Sequence, residues 1–274
     1  MAFISYGVRV GVRVNDPAAL PRVLERLPPG WKPARSPVVS RLYSLIVGGA
    51  RTRPGVRRFN LLYMNAVRLA RTPELDPVLE TFESDLQLYV AAEAPRRLFV
   101  HAGVVGWRGR AIVFPGHTFT GKTTLVAALV KAGATYYSDE YAVLDTRGRV
   151  HPYARPLSVR ERGAFEKAKR YPVETLGGRA GIRPLPVGLV LVSRYRAGAR
   201  WRPRHLSPGA GALALLAHAV SARRQPAFAL TSLQQVVSRT PVMKGVRGEA
   251  QEVVEAIART MDGRKGEWKG ERLA

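Results

Sequence analysis

The residues best equipped for chemistry lie in Pro115-Gly116-His117-Thr118-Phe119-Thr120-Gly121-Lys122-Thr123-Thr124, which matches G-x-x-x-x-G-K-[ST], the phosphate-binding loop. Glycines let the backbone wrap closely around a phosphate, so that successive N–H groups point inward. A helix that follows adds the positive end of its dipole. In this pattern Gly116 to Thr124 cradle the phosphates of a nucleotide, with His117 offering its backbone N–H. Lys122 reaches the outer phosphates and the Thr123 hydroxyl holds Mg²⁺. The flanks suit the motif: the apolar segment 111–114 reads as a strand leading in, and 124–131 as a helix leading out. ATP and Mg²⁺ are therefore the expected cofactors.

Phosphoryl transfer also needs a group to activate the acceptor and a second ligand for the metal. His101 lies 21 residues before Lys122, and Asp139-Glu140 begins 17 residues after it. Adjacent carboxylates repel unless a cation or solvent separates them, and a metal beside the phosphates would be that cation. One acid could then orient Mg²⁺, with Thr123 and Asp139 as candidate ligands, while the other takes a proton from an attacking hydroxyl. The same two acids would also suit a solvated turn, and a strand histidine such as His101 is more often a packing residue than a catalyst. Arg155, Arg160, Arg194 and Arg196 are candidates for neutralising transition-state charge, in a chain where most arginines serve as plain surface charge.

The order His101-Ala102-Gly103, then 115–124, then Ser138-Asp139-Glu140, with these gaps, resembles the HPr kinase/phosphorylase family. It is more similar to that family's HPr-kinase-like serine kinases, over about residues 60–245. The resemblance implies a fold shared with phosphoenolpyruvate carboxykinases, in which a mixed sheet carries the loop. It also implies a serine hydroxyl as acceptor, and ATP or another phosphoryl compound as donor. His101 would then lie near the transferred group, and Asp139 and Glu140 would share metal and proton duties. There are departures: Glu140 stands where HPr kinases carry Asp, bulky Phe119 sits inside the loop, and Arg160-Glu161-Arg162-Gly163 only loosely echoes the family's second signature. They argue against HPr itself as the substrate.

The elements that must position these groups are readable from periodicity. Residues 3–14 alternate as a strand, Asn15-Asp16-Pro17 opens a helix to about Leu27, and strands are expected at 42–47, 58–63 and 66–69. A helix runs from Thr72 toward Ala94. Strand 98–107 turns at Arg108-Gly109 into the strand before the loop, forming a hairpin. Gly133 ends the loop helix, and Tyr141–Leu144 is a strand. Residues 150–160 are extended, 162–171 helical, 177–181 a mobile loop walling the acceptor pocket, and 187–193 a strand. Helices follow at 208–223, 226–239 and 249–261, and then a charged tail. The expected class is α/β: a small α+β portion (1–72), a core of mixed sheet and C-terminal helices (73–262), and the tail (263–274).

Composition bounds the rest. The 274 residues suffice for a sizeable core. The absence of cysteine excludes disulfides, thiolate metal sites and cysteine nucleophiles. No run is long and apolar enough for a membrane span, and the N-terminal stretch is not a signal peptide, so a cytoplasmic location without membrane contact is expected. The net charge of +24 would attract nucleotides and acidic partners, and nucleic acid is a second candidate partner. The leading expectation is an ATP-dependent kinase acting on a serine of a protein, peptide or small molecule, in an assembly of identical chains. The alternative is a nucleotide-binding regulator, associated with nucleic acid, that transfers nothing.

Overall fold

A computed structural model describes residues 1–49, 58–117, 120–159 and 169–261. The chain is mixed α/β and forms two compact units, Met1–Pro95 and Arg96–Ala274. Thr118, Phe119, the 160–163 echo and the tail lie outside the described residues.

The first unit is built from β1 (Ala2–Ser5), β2 (Val8–Val14), α1 (Leu20–Leu24), β3 (Lys32–Pro33), β4 (Arg41–Ile46), β5 (Asn60–Met64), β6 (Val67–Thr72) and α2 (Leu75–Glu93). The sheet order is β3-β1-β2-β4-β5-β6, with β2 and β4 parallel and the other neighbours antiparallel. The expected single strand over 3–14 is a hairpin. Tyr6 and Gly7 both take positive φ, the signature of a two-residue primed turn, and across it the buried face passes from Phe3 and Ser5 to Val8, Val10 and Val12, so Ile4 does not share the face of the valines. Asp16 caps the following turn, accepting from the Ala18 N–H at 2.9 Å, but that turn is 3₁₀ and α1 is only one turn long.

Helix α2 buries Val78, Leu79, Phe82, Leu86 and Val90. Phe82 meets Tyr43 of β4 edge to face at 5.1 Å, and α2 packs along β5 and β6. Burial of each such side chain contributes about 1.5–3 kcal/mol. The unit boundary therefore falls at Pro95, not at residue 72, because this helix completes the N-terminal core.

The second unit contains β7 (Leu98–Trp107), β8 (Arg110–Pro115), α3 (Lys122–Lys131), β9 (Thr135–Ser138), β10 (Tyr141–Leu144), β11 (Arg149–His151), β12 (Leu157–Val159), β13 (Lys169–Tyr171), β14 (Leu185–Tyr195), β15 (Arg204–His205), α4 (Pro208–Leu216), α5 (Pro226–Val237), β16 (Val242–Arg247) and α6 (Ala250–Met261). The main sheet runs β11-β10-β7-β8-β14-β16-β15. In it β8, β14 and β16 are parallel and β7 is antiparallel to β8. Helices α3 and α6 cover one face through Leu125, Leu129, Val253 and Ile257. Helices α4 and α5 cover the other through Leu215, Leu233 and Val236. The hairpin turn at Arg108-Gly109 is present, with both residues at positive φ.

Four expectations change here. Lys169–Tyr171 pairs with β12 as a strand, where a helix was expected. Residues 177–181 are no loose loop: the Tyr136 N–H donates to the Arg179 carbonyl at 2.9 Å, the Tyr136 carbonyl accepts from the Gly181 N–H at 2.7 Å, and Gly181 lies so close to the Tyr137 ring that a Cβ would collide with it. The helix expected over 208–223 stops at Leu216. Strand β16 was not foreseen at all.

Candidate functional site

The glycine-rich segment bridges β8 and α3, as its flanks require. Gly121 is the residue before α3 and takes the left-handed conformation, φ +78. Its geometry and its surroundings both demand glycine, since a Cβ would overlap the Arg247 guanidinium. The loop closes on the His117 carbonyl, which accepts from the Thr120 hydroxyl at 2.8 Å and from the Lys122 ammonium at 2.6 Å.

His101 lies on β7 where that strand exchanges partners. Followed back from Trp107, the strand pairs with β8 as far as Ala102, which lies opposite Pro115 at the end of β8. Beyond that point the His101 carbonyl accepts from the Gly116 N–H at 3.2 Å, and its own N–H donates to the His218 carbonyl at 2.8 Å. The chain after α4 thus unwinds to run against β7, with Ala219 opposite Val100. The His218 ring meets the His117 ring edge to face at 4.4 Å. Gly103 explains the small residue two positions after His101. A Cβ there would come within 2.8 Å of the Val126 methyl and push α3 off the sheet.

The acidic pair sits at the turn between β9 and β10. The Ser138 hydroxyl accepts from the N–H groups of Glu140 at 3.1 Å and Tyr141 at 2.9 Å, fixing the turn. The Ala102 N–H donates to the Glu140 carbonyl at 3.1 Å, tying the turn to β7. Asp139, only 9 % exposed, takes one direction: Thr123 donates to its Oδ2 at 3.3 Å and Tyr136 to its Oδ1 at 2.9 Å. Glu140 takes the other, with Oε1 3.9 Å from His101 Nδ1. The chain therefore brings His101, Lys122, Thr123, Asp139 and Glu140 to the mouth of one loop.

The electrostatics follow from that crowding. Burial lowers the His101 pKa, and the charges of Lys122 and His117 add to it. Burial also lowers His218, helped by His117, Lys122 and His101. Lys122 is lowered by burial against the pull of Glu140 and Asp139. Glu140 keeps half its side chain exposed, yet the protein packed around it raises its pKa, Asp139 adds to the rise and Lys122 opposes it. Bases whose charged forms are disfavoured thus crowd a site with two acids, and a bound anion would favour those charged forms.

Arg247, at the end of β16, escaped the sequence reading. It is 2 % exposed, and its Nη2 donates to the Gly121 carbonyl at 2.8 Å, with the Thr120 carbonyl at 3.5 Å. No carboxylate forms an ion pair with it among the described residues; Glu249, whose charge attracts it, accepts from Tyr195 at 2.6 Å. Arg194 and Arg196, candidates from sequence, are exposed, and Arg155 enters through its carbonyl, which lies 2.8 Å from the Tyr136 hydroxyl.

Thr123 and Asp139 are hard oxygen donors in contact with each other, and this suits Mg²⁺, which takes one or two protein oxygens and completes its shell with phosphate and water. Among the described residues no group of three or more histidines and carboxylates is arranged to hold a metal alone. No helix among them is long and apolar enough to cross a membrane. Neither a protein-family model nor a curated protein matches this chain.

Proposed function

We propose that the chain is a phosphate-loop kinase of the HPr-kinase-like type, transferring the γ-phosphoryl group of ATP to a serine hydroxyl. The observation that carries the reading is the contact of Thr123 with Asp139 at 3.3 Å beside Lys122, with Glu140 turned toward His101. A structural turn bearing two acids has no need to point one of them at a loop threonine and the other at a lysine and a histidine.

In this reading the loop N–H groups and the α3 N-terminus hold the phosphates. Lys122 neutralises charge on the outer phosphate, and Thr123 and Asp139 hold Mg²⁺, which when bound offsets phosphate charge. Glu140 is the base, because its raised pKa makes it a stronger proton acceptor than an ordinary carboxylate. Glu140 takes the serine proton as the serine oxygen bonds to the γ-phosphorus. The bond from that phosphorus to the bridging oxygen breaks, and its electrons leave with ADP. His101, held neutral by burial and by Lys122, borders the transferred group without adding a charge.

The test is transfer from γ-labelled ATP with Mg²⁺ to free serine, a serine-ended peptide and a cell extract. Label on a serine oxygen in one of them is expected. Label released only as inorganic phosphate would contradict the reading.

A further inference from the structure

The N-terminal sheet has one face packed on α2 and a second face with an unusual make-up. Tyr43 and Leu62 point toward α2 and are buried. By alternation Phe59, Leu61 and Tyr63 line the opposite face of their strand. Register extends this face across the sheet. Arg13 pairs with Ser44, Ser44 with Tyr63, and Tyr63 with Arg68, giving one row over four strands. A second row runs Ile46, Leu61, Arg71.

The arginines Arg13, Arg68 and Arg71 are exposed. The Arg71 guanidinium lies over the Phe59 ring, 4.2 Å from its centroid, and the Arg13 Nε donates to Ser44 at 2.7 Å. These contacts hold the cations on the sheet surface. The acids of residues 1–95 are Asp16, Glu25, Glu74, Asp76, Glu80, Glu83, Asp85 and Glu93, and none lies on a strand of this sheet. Three of them, Asp76, Glu83 and Asp85, pair with Arg22, Arg26 and Arg41. The face opposite α2 is therefore cationic without internal compensation.

We propose that this face binds single-stranded nucleic acid. The row from Arg13 to Arg68 spans about 14 Å at the usual strand spacing. It sets the Tyr63 ring beside Arg68 on one side and, across the small buried Ser44, Arg13 on the other, so a base on the ring has cations for the flanking phosphates. Unpaired bases stack on Tyr63 and on the guanidinium-capped Phe59 while phosphates reach Arg13, Arg68 and Arg71. An acidic peptide would use the cations but has no use for the rings, and a duplex hides its base faces from a flat sheet. The surface lies in the unit apart from the phosphate loop, so the inference stands independently of the kinase reading.

The experiment is fluorescence anisotropy of the full chain with a labelled single strand of mixed sequence, about 12 nucleotides long. Salt is varied, and the wild type is compared with R68E/R71E and Y63A. Binding is expected at low salt and is expected to weaken steeply as salt rises. R68E/R71E weakens it by at least about tenfold and flattens the salt slope. Y63A weakens it by about tenfold with the slope unchanged. Saturating ATP leaves it intact. Absence of binding at low salt, or indifference to R68E/R71E, would overturn the proposal. So would a polyglutamate peptide that competes equally well while Y63A has no effect, because the occupant would then be an acidic peptide.

Discussion

The buried guanidinium of Arg247 donates to the carbonyl of Gly121, the residue on which the glycine-rich loop turns into α3. The bond crosses from the end of β16 to the start of α3. It shares the Gly121 carbonyl with the Leu125 N–H, which donates to it at 3.1 Å, and so ties β16 to the first turn of α3. A cation with no carboxylate partner is costly to bury, and an anion in the loop offsets that cost. R247M is predicted to keep the fold and to weaken ATP binding by about ten- to a hundredfold, the loss of one or two charge-assisted bonds. R247K should recover part of it. Isothermal titration calorimetry measures both, and unchanged affinity in R247M would mean that the arginine only packs.

Gly103 offers a steric test of the seat beneath α3. G103A places a methyl group 2.8 Å from Val126 Cγ2. The overpacking should cost about 1–3 kcal/mol in denaturant unfolding and abolish nucleotide binding by shifting the helix start. G109A is the control. Gly109 has positive φ but open space around it, at the far end of the same hairpin. G109A should cost about 1–2 kcal/mol from backbone strain and leave binding intact.

Tyr136 orients Asp139. Its hydroxyl lies within hydrogen-bonding distance of both Asp139 Oδ1 and the Arg155 carbonyl, but carries a single proton. Negative charge on Asp139 draws that proton, which holds the carboxylate in place. Y136F removes it and is predicted to raise the Mg²⁺ concentration for half-maximal effect by about tenfold, the usual penalty for losing a group that supports a metal ligand. ATP affinity without metal should barely change. The readout is a Mg²⁺ titration of ATP-induced thermal stabilisation.

The imidazoles set the pH dependence. His101 and His218 both have pKa values below the ordinary value of about 6.5. Between the depressed and ordinary values the unfolded chain holds more protons than the folded one. Stability therefore rises as pH climbs through that window and is lost as pH falls through it. An anion beside Lys122 works the other way, favouring protonated imidazoles, so that ATP binding takes up protons. Calorimetry at about pH 6, in buffers of differing ionisation heat, should show greater uptake for the wild type than for H101Q/H218Q. Equal uptake would place the rings away from the ligand.

Much of this architecture was legible before the fold was known. The β7–β8 hairpin, α2, α5 and α6 follow from periodicity, whereas spacing alone left His101 and Asp139-Glu140 readable as a packing residue and a solvated turn, and only the family resemblance implied that they meet Lys122. What escaped had tertiary causes. Strand β16 carries Lys244 and Gly245 at its centre, and its partner β14 is far away in sequence, so no local pattern marks it. Arg247 has no signature in an arginine-rich chain. His218 lies in an alanine-rich stretch that reads as continuous helix, yet pairing with β7 outweighs helix propensity there. The Tyr6-Gly7 turn hides because Ile4, Tyr6 and Val8 continue the apolar spacing in sequence, although Ile4 pairs with Arg9 on the face opposite Val8. Gly178 and Gly181 read as mobility, whereas they are required for close packing against Val173 and Tyr137.

The most direct test of the central claim, that three separated stretches of chain form one phosphoryl-transfer site, is γ-label incorporation by wild type, K122A and D139N/E140Q, each first shown by its melting curve to be folded. Wild type should label a serine acceptor, and both variants should fall by at least about a thousandfold, as expected when charge neutralisation and proton removal are lost together. Incorporation by D139N/E140Q at the wild-type rate would contradict the account.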